Sequence, residues 1–178
     1  VRYMGTPVPP PGGWGEVTPE AILRFNEPTA RAAGVPGGGG VASATTMALF
    51  YQPLINGGVT VDGKRIMKAE TIEFGTKVRA RRHHIDQTLQ IFDPNLIVNT
   101  NRALAVVVAG GDGFNFARGF GRTCSPRAFG HGGAGGQVAW GDPETGISVG
   151  YCTNGFVDAL ASGRRVTAIG SLAANCAA

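Results

Sequence analysis

The chain has 178 residues, 43% of them hydrophobic, enough to bury a sizeable core, and no stretch approaches the roughly 20 apolar residues that a membrane-spanning helix needs. Glycine, at 29 residues, is about twice its usual share, yet it has no collagen-like period and clusters beside apolar runs, as turn residues do. The net charge of +4 comes from 16 Lys and Arg against 12 acidic residues. Its one dense basic run, Arg79-Ala80-Arg81-Arg82-His83-His84, lacks aromatic interleaving and reads as a solvated loop or helix face, so no nucleic-acid partner is expected.

Residues 1–17 form an extended Pro/Gly-rich lead-in with no apolar signal sequence, and the opening Val1-Arg2-Tyr3-Met4 reads as the middle of a longer protein. Thr18, Pro19 and Glu20 supply an N-cap, a proline at the first helical position and an early acid, predicting a short helix over Thr18 to Asn26 that Pro28 interrupts. After the loop Val35-Pro36-Gly37-Gly38-Gly39-Gly40-Val41, Ser43 is placed to cap the clearest helix. Met47, Phe50, Tyr51 and Leu54 form its apolar stripe, Pro53 should kink or loosen its last turn, and Asn56-Gly57-Gly58 ends it.

A turn is expected at Asp62-Gly63 and a short helix around Ala69 to Phe74. The β-branched run from Ala103 to Ala109, ended by Gly110-Gly111-Asp112-Gly113, predicts a buried strand and hairpin. Short strands follow, among them a pair around Gly130-His131-Gly132-Gly133-Ala134-Gly135-Gly136, a turn at Asp142 to Gly146, and a third strand over Ile147 to Tyr151. The last segment, Ser162 to Asn175, has Val166, Ile169, Leu172 and Ala173 on one side, predicting a helix that covers a sheet. Helices first, then an antiparallel sheet, then a closing helix is an α+β pattern.

Three motif matches fail on context. Gly146-Ile147-Ser148-Val149-Gly150 fits a nucleophile elbow, but its surroundings are turn and strand, and no histidine follows Ser148. Gly130 to Gly135 fits a dinucleotide fingerprint without the helix that motif needs, and Gly58 to Arg65 fits a P-loop with Arg where a magnesium-binding Ser/Thr belongs. His83-His84 has no spaced third ligand, and Cys124, Cys152 and Cys176 contain no C-x-x-C and read as buried free thiols. No metal site and no cofactor are expected.

Ala128 to Asn154, together with Arg31 to Ser43 and the helix that follows, resembles the C-terminal half of the β-lactamase-like serine hydrolases, a superfamily that includes carboxylesterases, class C β-lactamases and penicillin-binding proteins. That superfamily uses a S-x-x-K box carrying nucleophile and base, a Y-x-N or S-x-N box, and a K-T-G or H-x-G box on a sheet strand. His131-Gly132-Gly133 matches the third box. The resemblance implies that His131 polarises the proton shuttle or holds a substrate carboxylate. It also implies that Gly132 and Gly133 leave room for substrate along the strand, and that the Ala134 N–H is one oxyanion-hole donor.

The first two boxes are absent. Lys64, Lys68 and Lys77 follow Val61, Arg65 and Phe74 at the required distance, and Tyr3, Tyr51 and Tyr151 precede Gly5, Pro53 and Thr153. No serine is followed by x-Asn. In the superfamily both missing boxes lie upstream. The whole chain, residues 1–178, is therefore expected to be the C-terminal part of one β-lactamase/DD-peptidase-like domain, an antiparallel sheet flanked by helices, and inactive alone.

Its expected partners are the N-terminal half of the same enzyme, as a separate chain or missing segment, and a small-molecule ester or amide substrate. Its open sheet edge also makes an oligomer an expectation. Histidine in place of lysine favours an esterase over a β-lactamase. The competing readings are a non-catalytic binding or scaffolding module that keeps the fold, and a basic interaction domain built on Arg79 to His84.

Overall fold

The computed structural model describes residues 23–80, 83–84, 98–154 and 159–177, in two units, Val1–Ser43 and Ala44–Ala178. The expected helix from Thr18 lies largely outside the described residues. In the first unit, a 3-10 turn at Arg24–Asn26 precedes helix α1, Pro28–Ala32. Pro28 begins this helix, where a proline at the first helical position has no intrahelical hydrogen bond to lose.

The second unit opens with helix α2, Ala44–Ile55. It runs through Pro53 as one helix and ends where Gly57 and Gly58 take positive φ. The Gly58 N–H then closes onto the Pro53 carbonyl at 2.7 Å. Tyr51 and Pro53 are buried and Met47 and Leu54 half-buried, but Phe50, counted in the sequence stripe, is 64% exposed. The turn at Asp62-Gly63 forms as expected, with Gly63 at φ 82°. Helix α3, Ala69–Thr76, occupies the expected stretch and extends two residues beyond it.

His83–His84 (β1) pairs antiparallel with Val98–Asn99 (β2). This end of the basic run is therefore paired strand and not a loop.

The main sheet is a four-stranded antiparallel meander, Val107–Val108 (β3), Phe129–Gly133 (β4), Gln137–Asp142 (β5) and Ile147–Tyr151 (β6), in chain order. The strand expected from Ala103 to Ala109 is regular only at Val107–Val108. Asn101 and Ala105 have positive φ (45° and 58°), the Ala103 N–H donates to the Val106 carbonyl at 2.9 Å, and Leu104 is half exposed. The β-branched run thus begins inside a turn, with Arg102 bridged to Val107 across it. The expected hairpin at Gly110–Gly113 is instead a long connection through a 3-10 turn, Asn115–Arg118.

The sheet has helices on both faces. On one, Phe129 and Ala139 pack with Tyr51 of α2. Gly141 and Gly150 let that helix approach: a β-carbon at Gly150 would lie 2.1 Å from the Ala44 carbonyl oxygen. On the other, Val138 and the fully buried Trp140 pack with Phe120, Ala128 and Val107 under helix α4, Ala159–Asn175. Full burial of each large apolar side chain contributes about 1.5–3 kcal/mol.

The buried line of α4 is Ser162, Val166, Gly170 and Ala174, a strict i, i+4 row. Leu172, placed on the core side by the sequence pattern, is 66% exposed. The correction has a steric origin. The backbones of Gly121 and Gly170 meet so closely that a β-carbon on Gly121 would lie 2.2 Å from the Gly170 carbonyl carbon, and this fixes which side of α4 faces in. Among the cysteines only Cys124 is buried; Cys152 and Cys176 are exposed, against the expectation of buried thiols. No helix among the described residues is long and apolar enough to cross a membrane.

Candidate active site at the end of strand β4

Strand β4 enters the site from a tightly held loop. Asp142 is fully buried, and its carboxylate accepts from the Ser125 N–H (2.7 Å), the Ser125 hydroxyl (2.6 Å) and the Glu144 N–H (3.0 Å), tying the segment before β4 to the β5–β6 turn. Gly130 fits where nothing larger could: a β-carbon there would lie 2.2 Å from the Ala139 carbonyl oxygen and 2.4 Å from Trp140 Cβ. Among the described residues, the strand beyond Gly130 is paired with β5 alone. His131, Gly132 and Gly133 pair with Ala139, Val138 and Gln137, whereas β3 reaches only Phe129 and Gly130.

All three residues of the box are exposed on this open margin. Ala134 then opens a 3-10 turn, Ala134–Gly136, so its N–H has no acceptor within that turn. The turn is seated from below. Gly135 and Gly136 take φ of 78° and 88°, and Arg165 of α4 donates to the Gly135 carbonyl at 3.2 Å. A β-carbon at Gly136 would meet the Ser162 hydroxyl at 2.2 Å, so α4 fixes where the Ala134 N–H is presented.

Both nitrogens of His131 are engaged. Arg102 Nη1 donates to Nε2 at 2.9 Å, and Nδ1 lies 2.5 Å from the Gly132 carbonyl oxygen. A cavity of about 260 Å³ runs beside this margin, lined among others by Thr100, Arg102, Arg118, His131 and Gly132. Arg118 is buried and holds its wall together. Its guanidinium donates to the Asn99 carbonyl (2.6 Å), the Ala109 carbonyl (2.6 Å) and Asp112 Oδ1 (2.7 Å), with a second contact to Asp112 Oδ2. These hydrogen bonds hold the Asp112 carboxyl below the usual carboxylate range.

The structure thus brings His131, Gly132, Gly133 and Ala134 together on one strand end, as adjacency requires, and adds Arg102 and Arg118, which sequence reasoning missed. No spacing pattern marks either arginine; the turn at 103–106 and the chain path through Asn99 bring them there. Ser148 lies in β6, paired with Gly141, and accepts from Gln52 at 2.8 Å, so it is a strand residue and not an elbow nucleophile. A broader depression of about 410 Å³ beside α2 has its polar groups spent locally, Gln52 on Ser148 and Thr60 on the Lys64 carbonyl. Among the described residues no cluster of three or more His, Cys, Asp or Glu could hold a metal ion.

An α+β fold with this strand and turn defines a class of protein, and the family comparison agrees with it: the Beta-lactamase family matches residues 2–173, and the chain belongs to that family. A particular relative, the esterase/beta-lactamase LipL of Mycobacterium tuberculosis (strain ATCC 25618 / H37Rv), is 32% identical over 150 residues, 84% of this chain and 29% of the relative. The chain therefore spans less than a third of that relative's length.

Proposed function

We propose that the chain supplies one wall of a serine hydrolase that works through an acyl-enzyme, with the nucleophile carried by residues outside it. The observation that carries this reading is the β4 margin, where, among the described residues, His131-Gly132-Gly133 has no strand partner on one side and runs into the N–H of Ala134, in a chain without S-x-x-K. Gly132 and Gly133 place no side chain of their own against an ester or amide laid along the strand. Attack by an external serine oxygen on its carbonyl carbon forms a tetrahedral intermediate, and the Ala134 N–H is one donor for the resulting oxyanion. Collapse expels the alcohol or amine, and water then cleaves the acyl-serine bond to release the acid.

The fragment reading, the C-terminal part of a longer domain, is part of the same proposal. The missing pair of boxes supports it, and the open edge of β6 offers a place for further strands: among the described residues β6 pairs only with β5. The printed name of the relative carries both esterase and β-lactamase; histidine at the position of lysine favours the esterase here. The missing boxes equally motivate the second reading, a non-catalytic β-lactamase-like binding or scaffolding module.

The discriminating experiment adds the N-terminal portion of the protein, in trans or in the continuous chain, and measures turnover of p-nitrophenyl butyrate and of a chromogenic cephalosporin. Ester turnover that needs both portions and falls in His131→Ala supports the hydrolase. No turnover from the assembled protein supports the scaffolding module. Turnover unchanged in His131→Ala removes the histidine from the mechanism.

A further inference from the structure

Among the described residues, the groove beside β4 contains a cation without a counter-charge: no Asp or Glu of theirs lines it, and Arg118 is neutralised by Asp112. Among the described residues no carboxylate pairs with Arg102. The backbone of Arg102 is nevertheless held on both sides. Its N–H donates to the Ala80 carbonyl at 2.9 Å, its carbonyl accepts from Arg79 at 2.8 Å and Ala80 at 3.1 Å, and it bridges Val107. From this fixed backbone the exposed side chain reaches across the groove, and its Nη1 donates to His131 Nε2 at 2.9 Å.

We propose that Arg102 is a positioning residue of this site, which fixes His131 in the Nδ1–H tautomer and adds a permanent positive charge beside the strand. Guanidinium has no acceptor, so Nε2 must receive the hydrogen bond with its lone pair. In the uncharged imidazole the proton then sits on Nδ1, and the Nδ1–H donates to the Gly132 carbonyl oxygen at 2.5 Å. This is opposite to the tautomer that free histidine side chains favour. It also gives the histidine box a fixed positive charge where the related box has a lysine: the charge stays on Arg102, 2.9 Å from the imidazole. The catalytic meaning of the pair rests on the hydrolase reading above; the tautomer does not.

The test is long-range ¹H–¹⁵N correlation spectroscopy of the ¹⁵N-histidine-labelled 178-residue chain at about pH 8.5, two units above the ordinary imidazole value. His131 is assigned with His131→Gln. The expected result is predominant Nδ1–H at His131 in the parent chain, loss of that signal in favour of Nε2–H in Arg102→Met, and its retention in Arg102→Lys, which can still donate. Backbone amide spectra show whether each variant keeps its fold. Should Arg102→Met not fold, the parent chain and Arg102→Lys decide. Predominant Nε2–H in the parent chain, or an unchanged tautomer in folded Arg102→Met, overturns the proposal. Because no turnover is read, an inactive assembled protein would sink the hydrolase reading while leaving this inference intact.

Discussion

Gly130 and Arg118 show how single residues build this site without touching a substrate. A β-carbon at Gly130 has no space between Ala139 and Trp140, so Gly130→Ala is expected to cost about 1–3 kcal/mol through forced separation of β4 and β5. A urea titration followed by tryptophan fluorescence reads this as a lower midpoint. Arg118→Met strips the donors from two carbonyls and Asp112. Its expected cost is about 2–4 kcal/mol, below the full buried-pair figure because the Asp112 side chain is partly exposed. Asp112 also gives an acid-limb signature. Its carboxyl is lowered in the folded chain by the Arg118 hydrogen bonds, so its contribution is complete above the ordinary Asp value near 3.9 and is lost as pH falls through the lower folded value. Asp112→Asn should therefore be less stable than the parent at neutral pH, with the gap closing as denaturation midpoints are followed down below the ordinary Asp value, about pH 4. The histidine box was legible in the sequence because its residues are contiguous; the two arginines were not, because only the folded path through Asn99 and the 103–106 turn brings them beside it.

At the level of elements, hydrophobic periodicity located α2 and α4 but misjudged part of each face. On α4 the pattern weighted Leu172 for its size, whereas the helix is seated by its small residues, Gly170 against Gly121 and Ser162 against Gly136. Close backbone approach selects glycine, and a hydrophobicity count assigns it no weight. Val166→Ala is accordingly expected to cost about 1–3 kcal/mol by leaving a gap beneath the sheet. Leu172→Gln should change stability by no more than about 0.5 kcal/mol, and paired thermal or urea midpoints check both. An equal loss in the two variants would return Leu172 to the core. The run from Ala103 to Ala109 failed for a different reason. β-Branched residues favour strands, but positive φ at Asn101 and Ala105 turns the chain before the strand is established. That same turn carries Arg102 to the site, so the error in reading the element and the missed residue have one cause.

For the whole molecule, the family assignment and the geometry of β4 bear on different questions. Membership of the Beta-lactamase family covers residues 2–173, while the proposed chemistry needs groups that the 178 residues do not contain. The chain alone should therefore show no acyl transfer above background, and ester turnover should require the remainder of the protein. The most direct test uses that assembled protein and removes one atom group. Gly133 is extended (φ −114°, ψ 166°) and Ala134 is the first residue of a 3-10 turn, a setting that accepts proline while deleting the N–H. With p-nitrophenyl butyrate, Ala134→Pro is predicted to lower kcat by about 10²–10³-fold, the effect of losing one oxyanion donor, with an unchanged thermal midpoint. A folded Ala134→Pro protein that turns over the ester at the parental kcat would contradict the placement of the oxyanion hole at the end of β4.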